Sequence, residues 1–255
     1  MMKGGRSIMR RRTILALPAF LAGAWLAGPL RAEPKAKKAP APAGRRVALE
    51  LVLAIDGSAS ITDGDLEFQL QGHAAAFRDP DVSDAVTMGG MAATLVVFSG
   101  PRSLRVLVPW TALTSAEEVA AFANRIDKAP RGFQGDSTAL GSAIDESAKL
   151  FAGNGYDAPR KVIDIVSNGF SNSGPEPADA RDRAERQGIT INALAILDEF
   201  PWLEEYYQEN VIGGMNCFVK TAMDRGSFVQ ALRQKLIQEI AARPVPHSII
   251  AAANL

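Results

Sequence analysis

The chain has 255 residues and a mass of 27.1 kDa, with 47% hydrophobic and 22% charged residues. This length allows one domain with a sizeable core or two small ones, and this composition excludes collagen-like, coiled-coil and fully disordered chains. The 28 basic and 28 acidic residues balance, but six of the basic ones precede the first acidic residue, Glu33.

The first 32 residues are predicted to be a secretory signal peptide. Three consecutive arginines, Arg10, Arg11 and Arg12, precede an apolar run over residues 14–30. Arg11 and Arg12 also resemble the twin-arginine export pattern, in which export follows folding in the cytoplasm. The alternative is a retained membrane anchor, although the run is at the lower limit of a bilayer span and two prolines interrupt it. We therefore expect a periplasmic or secreted protein.

Residues 33–46 are predicted to be a linker, because they are rich in Pro, Ala and Lys and contain no large apolar residue. From Val47 onward the chain has 27 acidic and 17 basic residues, which argues against a nucleic-acid partner. The folded domain is predicted over residues 47–243 and a C-terminal tail over 244–255, with no membrane span in the mature chain. Cys217 is the only cysteine, so no internal disulfide can form.

Within the predicted domain, apolar segments of strand length alternate with amphipathic helical segments, which is typical of α/β proteins. We predict a doubly wound, mostly parallel six-stranded sheet with helices on both faces, as in Rossmann-like folds. The predicted strands are 48–55, 93–98, 104–108, 161–166, 190–196 and 217–220. The predicted helices are 63–78, 115–126, 139–151, 177–187, 202–209 and 227–242.

Three polar loops lie where such folds bind ligands, at the carboxyl ends of the strands. The first follows the first strand as a D-x-S-x-S motif, the second opens the middle helix, and the third ends the strand predicted over 161–166. Their oxygen-bearing residues are Asp56, Ser58 and Ser60, then Asp136 and Thr138, then Asn168. Carboxylate, hydroxyl and amide oxygens are hard donors that suit Mg²⁺ or Mn²⁺. The alternative for the first loop is a polar turn that caps the next helix.

These loops resemble the metal-ion-dependent adhesion site (MIDAS) of the von Willebrand factor A-type domain, the fold of integrin inserted domains. That family places D-x-S-x-S after the first strand, a Thr before a middle helix and an Asp after the fourth strand. Asp56, Ser58, Ser60 and Thr138 match the first two elements residue for residue.

The third element departs from the family pattern, because Asn168 stands where the family has Asp. A unit charge about 4 Å away is worth roughly 4 kcal/mol gross at an effective dielectric near 20, so its loss weakens a divalent site. Asp136 is the residue that we expect to replace the missing charge. Two alternatives follow, a site that binds Mg²⁺ or Mn²⁺ and a degenerate site that keeps only the fold and the polar loop.

Over about residues 46–242 the chain also looks like a bacterial family of secreted von Willebrand A-like proteins of unknown function. The segments that carry this resemblance include 160–164, 172–174, 188–192, 206–207 and 211–214. The resemblance implies the fold and export, and it implies no known reaction.

Other candidate catalytic residues are few. His73 lies on the apolar stripe of the first helix and is predicted to be structural, and His247 lies in the tail, so the spacing indicates no Ser–His or Cys–His pair. Asp164, inside a strand, is predicted to belong to a structural network with a hydrogen-bond or cationic partner. The loop around Trp202 has acidic residues on both sides and is either a partner surface or a solvated helix entrance.

The leading hypothesis is an exported protein-binding module of the adhesion type, without enzymatic activity. In this hypothesis Ser58, Ser60 and Thr138 hold a cation, Asp56 and Asn168 act on it through water, and the cation accepts a carboxylate from a protein partner. One alternative is a metal-assisted hydrolase that uses the same cation to activate water, although the sequence offers no His or Glu base. The other alternative is a metal-free structural protein of the cell envelope.

Overall fold

The computed structural model describes residues 44–133 and 135–242. The predicted signal peptide, most of the predicted linker and all of the predicted tail lie outside these residues. The strands are β1 (Arg45–Arg46), β2 (Leu49–Asp56), β3 (Met91–Phe98), β4 (Leu104–Leu113), β5 (Tyr156–Asp157), β6 (Lys161–Ser167), β7 (Ile189–Ile196) and β8 (Val219–Ala222). The helices are α1 (Asp63–Arg78), α2 (Pro80–Gly89), α3 (Ala116–Asp127), α4 (Leu140–Lys149), α5 (Pro177–Glu185), α6 (Leu203–Asn210) and α7 (Arg225–Ala241).

Six strands form one sheet in the order β4-β3-β2-β6-β7-β8. All neighbours are parallel except β4, which runs antiparallel to β3. The predicted α/β class, strand number and mostly parallel sheet are therefore confirmed. β1 pairs with β5 in a separate two-stranded ribbon.

The central strands are covered by helices on both faces. Every residue of β2 and β3 is buried, which explains why these strands are continuous apolar runs in the sequence. On one face, Leu53 of β2 belongs to a core that includes Phe77 of α1 and Phe228 of α7. On the other face, Val52 belongs to a core that includes Leu140 of α4. The sheet is thus doubly wound.

The order of the strands reverses at β2, which lies between β3 and β6. The chain builds outward from β2 through β3 to β4 on one side, and from β6 to β8 on the other. In an open parallel sheet this reversal leaves a crevice beyond the carboxyl ends of the two central strands. The loops that follow Asp56 of β2 and Ser167 of β6 open into it.

Some predicted boundaries need correction. Arg45 and Arg46 fall in the predicted linker, but they form β1 through parallel pairing with β5. The strand predicted over 217–220 is β8, which begins at Val219, and β4 continues beyond 108 to Leu113. α2 was not predicted, because its start at Asp79 and Pro80 resembles a turn. Asp79 is in fact the N-cap, and proline is well tolerated in the first turn of a helix.

A buried ionic network joins the sheet to α7. Lys235 of α7 forms ion pairs with Asp164 of β6 and with Glu239, and all three side chains are buried. Asn192 of β7 donates a hydrogen bond of 2.9 Å to Oε1 of Glu239. Burial raises the pKa of both carboxyl groups, and the neighbouring Asp164 adds to the effect on Glu239, whose pKa rises to about 7. The structural network predicted for Asp164 is therefore present.

His73 has the structural environment predicted for it. The ring is fully buried on α1, and its Nδ1 lies 2.7 Å from the carbonyl oxygen of Gln69. Burial lowers the pKa of His73 to about 4. The imidazole is consequently neutral near pH 7 and packs close to the ring of Phe228.

Across residues 44–133 and 135–242, none of the helices has both the length and the apolar character needed to cross a bilayer.

Candidate metal centre

Asp56 ends β2 and lies at the bottom of the crevice. Its carboxylate is fully buried, and both oxygens accept hydrogen bonds. The backbone N–H of Ser58 donates to Oδ1 at 2.7 Å, and the hydroxyl of Ser167 donates to Oδ2 at 2.5 Å. Because Ser167 ends β6, the neighbouring central strand, this contact fixes the carboxylate between the two strands.

The two serines of the D-x-S-x-S motif place their hydroxyls together. The Oγ atoms of Ser58 and Ser60 are 3.3 Å apart. Ser60 then donates a hydrogen bond of 3.2 Å to Oδ1 of Asn168 in the loop after β6. Ser58 and Asn168 are buried while Ser60 is exposed, so the group of oxygens lies at the surface end of the crevice.

The second polar loop reaches the first through a glycine. A Cβ on Gly135 would lie 2.4 Å from the carbonyl oxygen of Gly57, so only glycine permits this approach. Thr138, at the end of this loop, is buried and donates its N–H to Oδ1 of Asn172 at 2.9 Å. A Cβ on Gly169 would lie 3.7 Å from Oγ1 of Thr138. The Thr138 hydroxyl therefore lies beside the loop that carries Asn168.

Asp136 has a different environment from the other candidate residues. Its side chain is exposed, and its Oδ1 accepts a hydrogen bond of 3.1 Å from Ser137. A Cβ on Gly100 would lie 2.6 Å from the same Oδ1, so the carboxylate lies over the turn between β3 and β4. Its role as a replacement for the missing charge at Asn168 stays a prediction.

The polar loops around Asp56 provide no basic side chain. Burial raises the pKa of Asp56, and the hydrogen bonds from Ser167 and Ser58 oppose this rise. The segments 56–60, 135–139 and 167–174 contain no Lys or Arg. A nearby cation would favour the charged form of such a buried carboxylate.

The donor atoms fit a hard divalent cation such as Mg²⁺ or Mn²⁺. They comprise one carboxylate, three hydroxyls and one amide oxygen, and oxygen is the donor atom that these cations prefer. Among the described residues, no three His, Cys, Asp or Glu side chains cluster in a way that could hold a metal. The candidate centre thus depends on hydroxyl oxygens and carries little negative charge.

The sequence did not predict the residues that support the loops of the candidate metal centre. One is Ser167, whose hydroxyl donates to Asp56, and the others are two tyrosines of α6. Tyr207 of α6 is fully buried and donates a hydrogen bond of 2.7 Å to the carbonyl oxygen of Gly169, while the N–H of Ser171 donates to the hydroxyl of Tyr206 at 3.2 Å. Burial raises the pKa of Tyr207, which keeps its hydroxyl protonated as a donor. The pair Tyr206 and Tyr207 lies in one of the segments that resemble the bacterial family, but the resemblance gives it no role.

An aromatic rim, formed by Phe170, Phe200, Trp202 and Tyr206, lies next to Asn168 and Gly169. The ring of Phe170 is 5.4 Å from that of Phe200 and 5.6 Å from that of Trp202. Trp202 is 46% exposed and Phe170 is 37% exposed. The aromatic rim thus places two exposed aromatic side chains beside the candidate metal centre.

Residues 46–244 match the family model described as protein of unknown function (DUF1194). This match covers more than half of the chain. The chain belongs to this family. A comparison of the DUF1194 chain with curated proteins finds no significant match.

Solved structures similar to the DUF1194 chain contain von Willebrand A-type folds. Proximal thread matrix protein 1 from the mussel byssus is 21% identical, with a TM-score of 0.56 over 76% of this chain and 48% of that one. The pilus adhesin SpaC from Lactobacillus rhamnosus GG is 14% identical, with a TM-score of 0.55 over 78% and 31%. A von Willebrand factor type A protein from Catenulispora acidiphila is 18% identical, with a TM-score of 0.52 over 76% and 43%.

These likenesses support the von Willebrand A-like fold predicted for the chain. The DUF1194 chain spans less than half the length of each of these proteins. Another structure of the mussel protein, 19% identical with a TM-score of 0.53 over 78% of this chain and 49% of that one, has a zinc-occupied MIDAS motif.

Proposed function

We propose that the DUF1194 chain is an exported protein-binding module of the adhesion type, in which a divalent cation at the candidate metal centre accepts a carboxylate from a protein partner. Ser58, Ser60 and Thr138 are the proposed direct ligands, and Asp56 and Asn168 act on the cation through water. The cation supplies a positive charge to which an acidic side chain can bind. The observation that carries the proposal is the contact of Ser60 with both Ser58 and Asn168, which joins two separate loops at one group of oxygens.

The low negative charge of the centre favours this type of binding. Asn168 is neutral and the hydroxyl ligands are neutral, so the protein leaves most of the cation's charge uncompensated. An incoming Asp or Glu side chain therefore gains more from the cation than it would at a carboxylate-rich site.

The aromatic rim gives a partner an apolar contact beside the cation. Buried aromatic side chains frequently contribute most of the binding free energy at protein interfaces. Phe170 and Trp202 are exposed before any partner binds, and they lie in the loops that follow β6 and β7. The proposed interface thus combines one charged contact with an adjacent aromatic surface.

The metal part of the proposal is tested by calorimetric titration of the purified protein with Mg²⁺ and Mn²⁺. We expect a saturable heat with the unmodified protein. Asp56→Asn keeps the shape of the side chain and removes its charge, and we expect about 10- to 100-fold weaker binding, the usual effect of losing a residue that orients metal ligands. Thr138→Val removes one hydroxyl and should also weaken binding, while Thr87→Val in α2 is the matched control.

The partner part is tested with the same variants on an extract of the cell envelope. Capture of a protein partner should be lost in chelator, restored by Mg²⁺ and absent with Thr138→Val. Binding of a partner that is equal with and without chelator would favour the metal-free structural alternative. The absence of any heat in the titration would contradict the proposed cation directly.

A further inference from the structure

A second cleft lies beside the candidate metal centre, between the first turns of α1 and α7. It has a volume of about 110 Å³ and is lined in part by Ser60 and Asn168, which also belong to the metal centre. This is several times the space that one water molecule needs. Whatever occupies the cleft therefore lies next to whatever occupies the metal centre.

The wall of the cleft contains an amide that lacks a partner. Gln69 of α1 is 2% exposed, and neither its Oε1 nor its Nε2 has a hydrogen-bond partner among the described residues. Buried polar side chains are hydrogen-bonded in most proteins, and an unpaired one is costly. Because Gln69 lines the cleft, a ligand with hydrogen-bonding groups can satisfy it.

The walls are apolar and aromatic. The rings of Phe68 and Phe228 lie 5.3 Å apart, and Ile61 and Ile196 add aliphatic surface. Such a lining suits the methylene stem of a long side chain, which can be buried while its polar end remains near the rim.

The rim is negatively charged. Asp198, Glu199 and Asp224 line the cleft, and none of them forms a salt bridge with a basic side chain in the part of the chain that the structure describes. The basic residue of the lining, Arg225, is already paired with Asp65 and lies over the ring of Phe68, 5.3 Å from its centroid. The free charge at the rim is thus acidic and favours a cationic group.

We propose that this cleft binds the side chain of a Lys or Arg residue. Its methylene stem packs against the paired rings of Phe68 and Phe228, its charged end reaches Asp198 and Glu199, and its N–H groups donate to Oε1 of Gln69. Under the proposed function, which this step requires, the basic residue lies near the acidic residue that binds the cation, so the partner presents a basic and an acidic side chain together.

The test is a titration of ¹⁵N-labelled protein with Nα-acetyl-arginine amide, followed by nuclear magnetic resonance. The matched ligand is Nα-acetyl-citrulline amide, which has nearly the same shape but no charge. With the arginine compound we expect saturable shifts of the Gln69 side-chain amide and of the backbone amides of Ile196 and Phe228. The citrulline compound should bind more weakly.

Variants of the cleft make the test specific. Glu199→Gln should weaken binding of the arginine compound about threefold, the size of an exposed ion pair, while Asp84→Asn on α2 should leave binding unchanged. Gln69→Leu should weaken it about fivefold, as expected for one lost hydrogen bond. This replacement removes an amide that has no partner, so it should not lower the thermal stability.

The same sample distinguishes this inference from the proposed function. Addition of Mg²⁺ should shift the amides of Gly57 and Gly169 at the metal centre. Shifts with arginine but not with Mg²⁺ would support the cleft and contradict the cation. No shift at Gln69 with either compound, or equal binding of arginine and citrulline, would overturn the cleft whatever the response to Mg²⁺.

Discussion

The hydroxyl of Ser60 donates a hydrogen bond of 3.2 Å to the side-chain oxygen of Asn168, which is 108 residues further along the chain. The two residues follow β2 and β6, the neighbouring strands at which the strand order reverses. Their contact brings a hydroxyl and an amide oxygen together above the buried carboxylate of Asp56. An Asp at position 168 would place a second negative charge at this point.

Asn168→Asp should therefore strengthen the binding of Mg²⁺ and Mn²⁺. One added charge near a divalent cation is worth roughly 4 kcal/mol gross per unit of cation charge, and we expect at least about a tenfold gain after the cost of desolvation. The measurement is the calorimetric titration described above.

Asn124→Asp is the matched control for this replacement. Asn124 contacts Arg78 at the far end of α1, a helix of 16 residues that is about 24 Å long. The added charge is thus distant from the metal centre and should leave the affinity unchanged. Equal gains from the two replacements would indicate an effect of net charge alone, and no gain from Asn168→Asp would contradict the assigned position of the cation.

Ser167→Ala should lower the free energy of unfolding by about 1–3 kcal/mol, because it leaves Oδ2 of the buried Asp56 without its donor. Urea denaturation measures this loss. Ser147→Ala is the matched control, since the hydroxyl of Ser147 is also buried but has no partner among the described residues. Similar losses for both serines would mean that the contact with Asp56 contributes nothing particular to stability.

Lys235→Met should destabilise the fold by about 3–5 kcal/mol, because it leaves Asp164 and Glu239 buried without their cation. The comparison is Arg183→Met, which breaks the partly exposed pair with Asp145 and should have a much smaller effect. The unfolding midpoints in urea give both values. A small loss for Lys235→Met would show that the two carboxyl groups are accommodated by protonation alone.

Glu239→Gln should change how stability depends on pH. The pKa of Glu239 is raised by burial, and further by Asp164, from 4.5 to about 7, so the folded protein retains a proton that the unfolded chain releases in this range. This group therefore makes the fold less stable as the pH rises from about 4.5 to 7, by at most about 1.4 kcal/mol per pH unit. In the variant the part of this decline that Glu239 causes should disappear.

Asp164 and His73 also change the pH dependence of stability, and their contributions must be separated from that of Glu239. Burial raises the pKa of Asp164 as well, so Asp164 acts in the same direction as Glu239. Burial lowers the pKa of His73 to about 4 from 6.5, so His73 makes the fold more stable as the pH rises between these values. His73 is present in both proteins. The free energy of unfolding of Glu239→Gln, minus that of the unmodified protein, should therefore increase from pH 5 to 7. Parallel profiles would contradict the assignment to Glu239.

The sequence was sufficient to predict the parts of the fold that have local signals. The bounds predicted for α1 agree with those observed, because Thr62 and Asp65 form a capping box at its start and its buried residues recur at helical spacing. The direction of β4 could not be predicted, because no local pattern distinguishes a parallel from an antiparallel edge strand. Phe218 precedes β8 and its N–H bonds to the side chain of Asn192, which no local signal reveals.

Part of the candidate site could also be predicted, namely the loops that carry Asp56 and Asn168. The motif and the rule for parallel sheets place both at one edge of the sheet. The role of Ser167 could not be predicted, since its partner Asp56 is 111 residues away in the sequence. The same holds for Tyr207, whose partner is a backbone carbonyl of another loop.

The central claim is that the three polar loops surround one cation, and addition of substoichiometric Mn²⁺ to ¹⁵N-labelled protein tests it most directly. Paramagnetic broadening falls steeply with distance, so we predict that the amide signals of Ser58, Thr138 and Gly169 vanish together while that of Gly155, at the opposite edge of the sheet, stays sharp. Loss of signal from only one loop would contradict a shared centre, and so would uniform broadening of all amide signals.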